Sequence, residues 1–567
     1  MSDSAVTDVS GALVHSPAGV VRVWARLATA ALWRERDALN QVNVFPVADA
    51  DTGTNMHLTV REGARAVATA DLEASADELM RRFARGALLG ARGNSGVIIS
   101  EWLRGLALGA SDGLPFAPAL QLAAESARAA VANPADGTIL TAAAEAAAAS
   151  AIAATQPGAT ADEVIAAAVE GASAAAQSSV GEMALLAKTG VLDAGACGLV
   201  LMLEALRVAS HYDRIRAGSA EPILHAELGA ALRLPASAAT PGKADLADAA
   251  VALGFNMSGH TPAAGWNFAD DALSTAFAAA HTSQDDEVEA MFVLRAVTGE
   301  GTDDDVAESL KADLAEVGVS VVVVGGRSLG DEAAWQAHVH SDNLTAVANV
   351  ARRWAKTYEV EALHVRHLAA PADDLHIVAV TTNVTLAAEL ARAGAVVLLP
   401  VAQGEVGPGE LAAAALESAQ HTSLVLCPDP DAVYEAVGGL VDVYESDDDL
   451  DGETEVIALA VSTDLHAVSA VSALAATTGD PAVDRIADVR FALDELIVIE
   501  TSEDAACEAL RTADPDPGSV VTTLADNEVN QQTLDTLADV AADLSTELVL
   551  LRSGLPGTKL LLGIEAG

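Results

Sequence analysis

Two aspartates, Asp49 and Asp51, flank one small residue in the stretch NVFPVADADTGTNM at 43–56, and Thr52, Gly53, Thr54 and Asn55 follow at once. Carboxylates this close repel each other unless a cation neutralises them. Hard cations such as Mg²⁺ are held by one or two carboxylates plus substrate phosphates. Gly53 admits close backbone approach, and a helix opening near Thr54 aims its first N–H groups at a phosphate. The chemistry on offer is metal-assisted phosphate binding. The same residues would also make an acidic turn that caps a helix, so the loop alone leaves both readings open.

Three further loops share that character. GARGNSG at 90–96 opens an apolar helix, with Asn94 and Ser95 placed to cap it. DGTILT at 136–141 and GVLDAGACG at 190–198 also stand at helix starts. Four such starts in one segment, one of them carrying DxD, point to a nucleotide site. No GxxxxGK[ST] occurs, so a P-loop enzyme is not expected, and no HExxH occurs either.

The elements that must position these loops read as helices from 18 to about 210. Val20, Trp24, Leu27 and Ala31 make one apolar stripe at i, i+4, i+7 and i+11. Further helices are predicted over 74–89, 95–108, 118–132, 140–154, 160–178 and 197–210, joined by short Gly, Pro and Asp turns, as in an antiparallel bundle. The chain then reads as a Pro- and Gly-containing linker at 216–243, with one short helix at 225–232. A mixed α/β domain follows at 244–365 and an α/β domain at 366–567. The expected fold class is therefore multidomain: an N-terminal all-helical domain at 1–215, then α+β, then α/β. In the middle domain WQAHVH at 335–340 is a predicted strand that puts His338 and His340 on one face. They read either as half-exposed strand histidines or as two ligands of a metal that needs a third. The Asp447–Asp449 run with Asp451 reads as a solvated loop, and 404–410 (GEVGPGE) is only loosely like a phosphate loop.

Composition bounds the partners. The 567 residues carry 31 Lys and Arg against 81 Asp and Glu, a net charge of −50. That excludes a broad nucleic-acid footprint and opposes an anionic membrane surface. The cysteines Cys197, Cys427 and Cys507 are scattered and form no CxxC pair, which suits a reducing cytosol. The N-terminus lacks a signal pattern. The Ala-rich run 142–154 is broken by Glu145 and too weakly apolar to span a bilayer. The expectation is a soluble cytoplasmic protein.

The 43–56 stretch resembles the FPVPDGDTGTNM signature of bacterial DhaL-domain proteins, the ATP-binding subunits of fatty acid kinases. A related motif occurs in the nucleotide-binding subunit of dihydroxyacetone kinase. GARGNSGVIISEWLRG, DGTILT and GVLDAGACGLVLMLEAL are similar to that family's later motifs, in the same order, and the likeness covers 18 to about 210. Ala48 stands where those kinases usually have Pro, and Ala50 where they have Gly. Both are small, and a small residue between the aspartates is what the loop is expected to need.

The resemblance implies a helical barrel that binds ATP with Mg²⁺ at one end. Asp49 and Asp51 would hold the metal. Asn43 is the nearest counterpart of a third aspartate found in the dihydroxyacetone kinase relatives. Thr52, Gly53, Thr54 and Asn55 would cradle phosphates, and Asn94 and Ser95 would contact phosphate or ribose. Thr138 and Ile139 would lie beside the nucleotide, and Asp193, Ala194 and Gly195 would close the pocket, with Cys197 as a packing residue. More weakly, the resemblance extends to a middle domain with a structural metal. There Glu289 takes a cysteine's place beside His338 and His340, with Phe292 as anchor, which implies a structural zinc. At the C-terminus SGLPG (553–557) sits where relatives carry GGQP, in a region that engages the acyl-carrying partner. The implied activity is ATP-dependent phosphorylation of the carboxylate of a fatty acid presented by a separate fatty-acid-binding carrier protein. Relatives act as dimers, so a homodimer is implied. The rival expectations are a dihydroxyacetone-type kinase subunit and a non-catalytic, nucleotide-responsive scaffold.

Overall fold

The computed structural model describes residues 17–45, 50–210, 287–297, 303–326, 333–368, 375–401, 406–416, 422–441, 455–477 and 479–565. Asp49, the linker at 216–243 with its short helix, the 447–451 acidic run and part of the 404–410 loop lie outside these. The chain divides into two compact units, Met1–Asp285 with Val293–Val339, and Asp286–Phe292 with His340–Gly567.

In the first unit the helices are α1 (Pro17–Gln41), α2 (Thr52–Ala68), α3 (Ala76–Leu89), α4 (Gly93–Ser111), α5 (Phe116–Ala130), α6 (Ile139–Ala154), α7 (Ala161–Glu182), α8 (Ala184–Thr189) and α9 (Ala194–Ser210). The stripe seen in the sequence faces inward: Trp24, Leu27 and Ala31 are buried. Trp24 packs edge-on against Phe83 and Trp102, with ring centroids at 5.3 and 6.4 Å. Its indole N–H donates to the Met202 carbonyl at 2.9 Å, so a large apolar ring is buried with its polar atom satisfied. Elsewhere the bundle packs almost backbone to backbone, because Ala and Gly line its contacts. A Cβ on Gly105 of α4 would lie 2.5 Å from the Ala123 Cα of α5, and one on Gly171 of α7 would lie 2.4 Å from the Glu145 carbonyl of α6.

Next along the chain come β1 (Val288–Ala296), α10 (Asp303–Ala315), β2 (Val319–Gly326) and β3 (Ala334–Ser341); α10 and β2 belong to the first unit, and β1 and β3 are each divided between the two. β3 lies between β2 and β1. β2 bonds to the segment after α5: Val131 bridges Val322, and the Ala132 amide donates to the Val321 carbonyl at 3.1 Å. Lys311 of α10 donates to the Ala129 carbonyl at 2.8 Å.

The second unit alternates strands and helices. Its elements are α11 (Leu344–Trp354), β4 (Tyr358–Val360), β5 (Leu363–His367), β6 (Leu375–Val380), α12 (Val384–Arg392), β7 (Val396–Leu399), α13 (Pro408–Leu416), β8 (Thr422–Cys427), α14 (Pro430–Val441), β9 (Glu455–Ala460), α15 (Asp464–Ala476), α16 (Ala482–Glu495), β10 (Ile497–Ser502), α17 (Ala506–Ala513), β11 (Val520–Ala525), α18 (Gln531–Asp543), β12 (Glu547–Arg552) and β13 (Lys559–Glu565). β5 is antiparallel to β1, with Arg366 opposite Glu289, and also to β7. Strands β7, β6, β8 and β9 run parallel in that order. The parallel strands are covered by helices, as their near-continuous apolar runs require. A smaller four-stranded sheet follows in the order β10-β13-β11-β12. The expected fold class stands: a helical N-terminal domain precedes mixed α/β structure.

Candidate nucleotide site

All four motif loops are helix starts in the structure, at α2, α4, α6 and α9, and side chains link them. The Thr52 and Ser95 hydroxyls face each other at 3.4 Å, joining α2 to α4. Gly93, with φ +55, packs on the Asn55 side chain so tightly that a Cβ would come within 2.2 Å of Nδ2. Gly198 of α9 lies against Met56 of α2, and Gly195 against Ile139 of α6. Val42 and Val44, which lead into the aspartate loop, share a small core with Leu186, Val191 and Ala194. Asn43 between them is buried. Four helix N-termini therefore meet at one end of the bundle, each carrying the partial positive charge of its first amides.

Asp193 ties two of these ends together. It is buried, and its carboxylate accepts from the Ala196 amide at 2.7 Å and from the Ile139 backbone. Its own amide donates to Ser179 Oγ at 3.1 Å. Burial pushes its pKa up to about 6, against the two amide bonds. Asp193 is thus a latch between α6 and α9, and its carboxylate is already occupied by the protein. Thr138 caps α6 through the Leu140 amide at 3.3 Å. Cys197 is fully buried, and burial raises its thiol pKa well above the ordinary value. It packs, as expected, and is no nucleophile.

Several expectations change in detail. The aspartate-loop helix starts at Thr52, not near Thr54, and Asp51 is its N-cap residue without using its side chain to cap. Asn94 and Ser95 do not cap α4. Arg92 is the N-cap residue and the helix begins at Gly93, because a positive φ at Gly93 turns the chain into the helix before Asn94 is reached. The close approach that Gly53 permits is to α1: a Cβ there would lie 2.2 Å from the Arg36 carbonyl and 2.9 Å from Asn40 Oδ1. Size alone does not explain position 50. Ala50 sits at φ 54, in the left-handed region, so the backbone wants a residue without a Cβ and holds an alanine under strain of about 1 kcal/mol.

One residue of the site carried no signal in the sequence. Asn40, near the end of α1, holds Thr54 at both groups: its Oδ1 accepts from the Thr54 amide at 3.1 Å and its Nδ2 donates to Thr54 Oγ1 at 3.0 Å. The Asn55 amide bonds to the Asp51 carbonyl at 2.8 Å. The first amides of α2 and the Thr52 and Ser95 hydroxyls stand together at this corner. Thr54 is part of the frame.

In the α/β part, Glu289, His338 and His340 come together: one ligand atom of each lies within 4.8 Å of the others. Both histidines are fully buried rather than half-exposed, because β3 is an inner strand. His338 Nδ1 is 3.1 Å from the Ser320 carbonyl. With Nδ1 as donor, Nε2 is left as a lone-pair nitrogen, the usual outer-shell arrangement of a metal-bound imidazole. The Glu289 carboxylate is also held by Arg366. The N, N, O donor set fits a divalent metal, with the guanidinium sharing the carboxylate.

No helix among the described residues is long and apolar enough to cross a membrane. Residues 46–208 match the family model described as the DAK2 domain. An uncharacterized protein of Staphylococcus epidermidis is 37% identical over 186 residues, covering 32% of this chain and 33% of its own. An uncharacterized protein of Staphylococcus aureus is 35% identical over 188 residues, covering 32% and 34%. The chain thus spans about a third of the length of the curated relatives it matches. Among solved structures, the dihydroxyacetone kinase of C. freundii in complex with AMP-PNP and Mg²⁺ aligns at TM-score 0.26 and 23% identity, covering 34% of this chain and 33% of that one. Its native form aligns at TM-score 0.25 and 20% identity, covering 34% of each. The segment that matches the DAK2 family model, 46–208, is the helical one that holds all four motif loops.

Proposed function

We propose that this chain is an ATP- and Mg²⁺-dependent phosphotransferase that phosphorylates the carboxylate of a fatty acid presented by a separate fatty-acid-binding carrier protein, in the cytoplasm. The observation that carries the nucleotide reading is the meeting of four helix N-termini beside Asp51 within a DAK2 domain. Asp51, with Asp49, would hold the metal, and Mg²⁺ bound there would neutralise charge on the phosphates. The Thr52 and Gly53 amides and the Thr52 and Ser95 hydroxyls would orient the phosphates, in the role that positioned donors play in phosphoryl transfer. Ile139, Ala194 and Gly195 would border the nucleotide, held in place by the Asp193 latch. A carboxylate acceptor is ionised at neutral pH and needs no general base. That agrees with His57, the histidine of α2, being buried in the bundle with Nδ1 3.3 Å from the Thr29 carbonyl. The fatty acid, its carrier and a homodimer come from the family resemblance.

The test is phosphate transfer from labelled ATP, with and without Mg²⁺, to a fatty acid loaded on its carrier protein. Acyl phosphate formed only with metal and carrier is the expected result. Transfer to dihydroxyacetone instead would reassign the substrate, and nucleotide binding without transfer would leave a scaffold.

Glu289, His338 and His340 would hold a structural zinc as part of the same reading. Elemental analysis of the purified chain should find zinc at stoichiometric level, lost in His340→Ala. Zinc absent from the unsubstituted chain rejects the site.

A further inference from the structure

The 90–96 loop is braced from outside the DAK2 segment. Gln336 on β3 is buried, and its Nε2 donates to the Ala91 carbonyl at 3.2 Å. Ala91 is the residue before Arg92, whose amide is fixed on Thr59 Oγ1 of α2 at 3.1 Å. Two turns into α4, buried Glu101 is gripped by Arg104 and accepts from the Gly325 amide of β2 at 3.2 Å. Gly325 has φ +108, and a Cβ there would lie 2.2 Å from the Ala334 carbonyl, so only glycine lets β2 present that amide while paired to β3.

Packing does not account for Gln336. Its Oε1 is buried without a hydrogen-bond partner, a state that destabilises by about 1–3 kcal/mol. Methionine would fill the same volume without that penalty. What glutamine adds at this position is the one bond to Ala91.

We propose that Gln336 is a positioning residue for the nucleotide loop: through the Ala91 carbonyl, β3 sets where α4 begins, and hence where Ser95 sits against Thr52. The inference rests on the nucleotide reading of that end of the bundle. It makes phosphate binding depend on a strand about 130 residues beyond the end of the matched domain. The coupling is reciprocal, since a ligand that orders the loop also tightens the β3 contact.

The experiment uses the full-length chain with Gln336→Met, which keeps volume and removes the donor, and Gln336→Leu, which removes the donor with a branched apolar side chain. Mg–AMP-PNP is titrated into each, and amide exchange over 91–95 is followed without ligand. Both variants should bind about three- to ten-fold more weakly, with exchange faster over 91–95 and unchanged over 139–154. Turnover at saturating nucleotide should stay within about two-fold, a split that general destabilisation would not give. Wild-type affinity together with wild-type exchange overturns the inference and leaves the nucleotide reading intact. A wild-type chain that binds no Mg–AMP-PNP overturns the nucleotide reading, and the exchange measurement still decides whether Gln336 holds the loop.

Discussion

Asp51→Asn is expected to lower Mg²⁺-dependent phosphate transfer by about 100-fold or more, the scale seen when one preorganised charge contact to a reacting phosphoryl or acyl group is lost. The amide is isosteric, and Asp51 does not cap α2 with its side chain, so the fold should not register the change. Its melting temperature should stay within about 2 °C of the parent, because asparagine serves as well as aspartate at an N-cap position. The measurements are initial rates across a Mg²⁺ titration, beside a thermal melt. If the metal assignment is right, the loss is in turnover and is only partly recovered by excess Mg²⁺. Turnover equal to the parent at all Mg²⁺ concentrations sinks it.

The second large effect is one of stability. Glu35 lies buried on α1, with Arg34 Nε at 3.7 Å as its ion-pair partner. Burial raises its pKa from 4.5 to about 7, opposed by Arg34. A raised carboxylate pKa means the folded chain keeps a proton that the unfolded chain releases between pH 4.5 and 7. Stability therefore falls as pH rises through that window, by up to about 3 kcal/mol above it. Glu35→Gln removes the ionisation. The variant should match the parent near pH 4.5 and exceed it by about 2–3 kcal/mol at pH 8, read from denaturant melts at each pH. Asp193, raised from 3.8 to about 6, gives a slope of the same sign between those values, and it should persist in the variant. Parallel curves for the two proteins across the whole range would show that Glu35 ionises normally.

Much of the bundle was legible because its signals are local. The Trp24 stripe and the Gly-rich starts each report on a few neighbouring residues, and each lies on a helix or helix start in the structure. In the α/β half, strands at 363–367, 497–502, 520–525 and 559–565 escaped the sequence pattern. LHVRH alternates over only five residues. IVIETS ends in polar residues on an edge strand, and KLLLGIE is a short apolar run that period alone does not separate from a helix. Their pairing comes from partners far along the chain, such as Thr523 opposite Leu562. At the site, residue types were readable but their duties were not. Asn40 looks like any asparagine near a helix end until α1 and α2 are side by side. Gly53 looks like a ligand glycine until Arg36 is found against it. Asp193 looks like a pocket wall until its carboxylate is seen on two helix ends. Each is a tertiary fact carried by residues 14 to 54 positions apart.

Ala50, held at φ 54 between the two aspartates, has a consequence for how this loop can drift. A single-base change in an alanine codon reaches glycine, serine, threonine, valine, proline and either aspartate or glutamate. Proline is fixed at negative φ, and the β-branched pair is penalised at positive φ. Aspartate tolerates the conformation but would put a third carboxylate beside the first two. Glycine is the neighbour that relieves the backbone and leaves the charge alone. The position is a narrow saddle in sequence space: it accepts its present occupant at a small energetic penalty and opens easily in one direction.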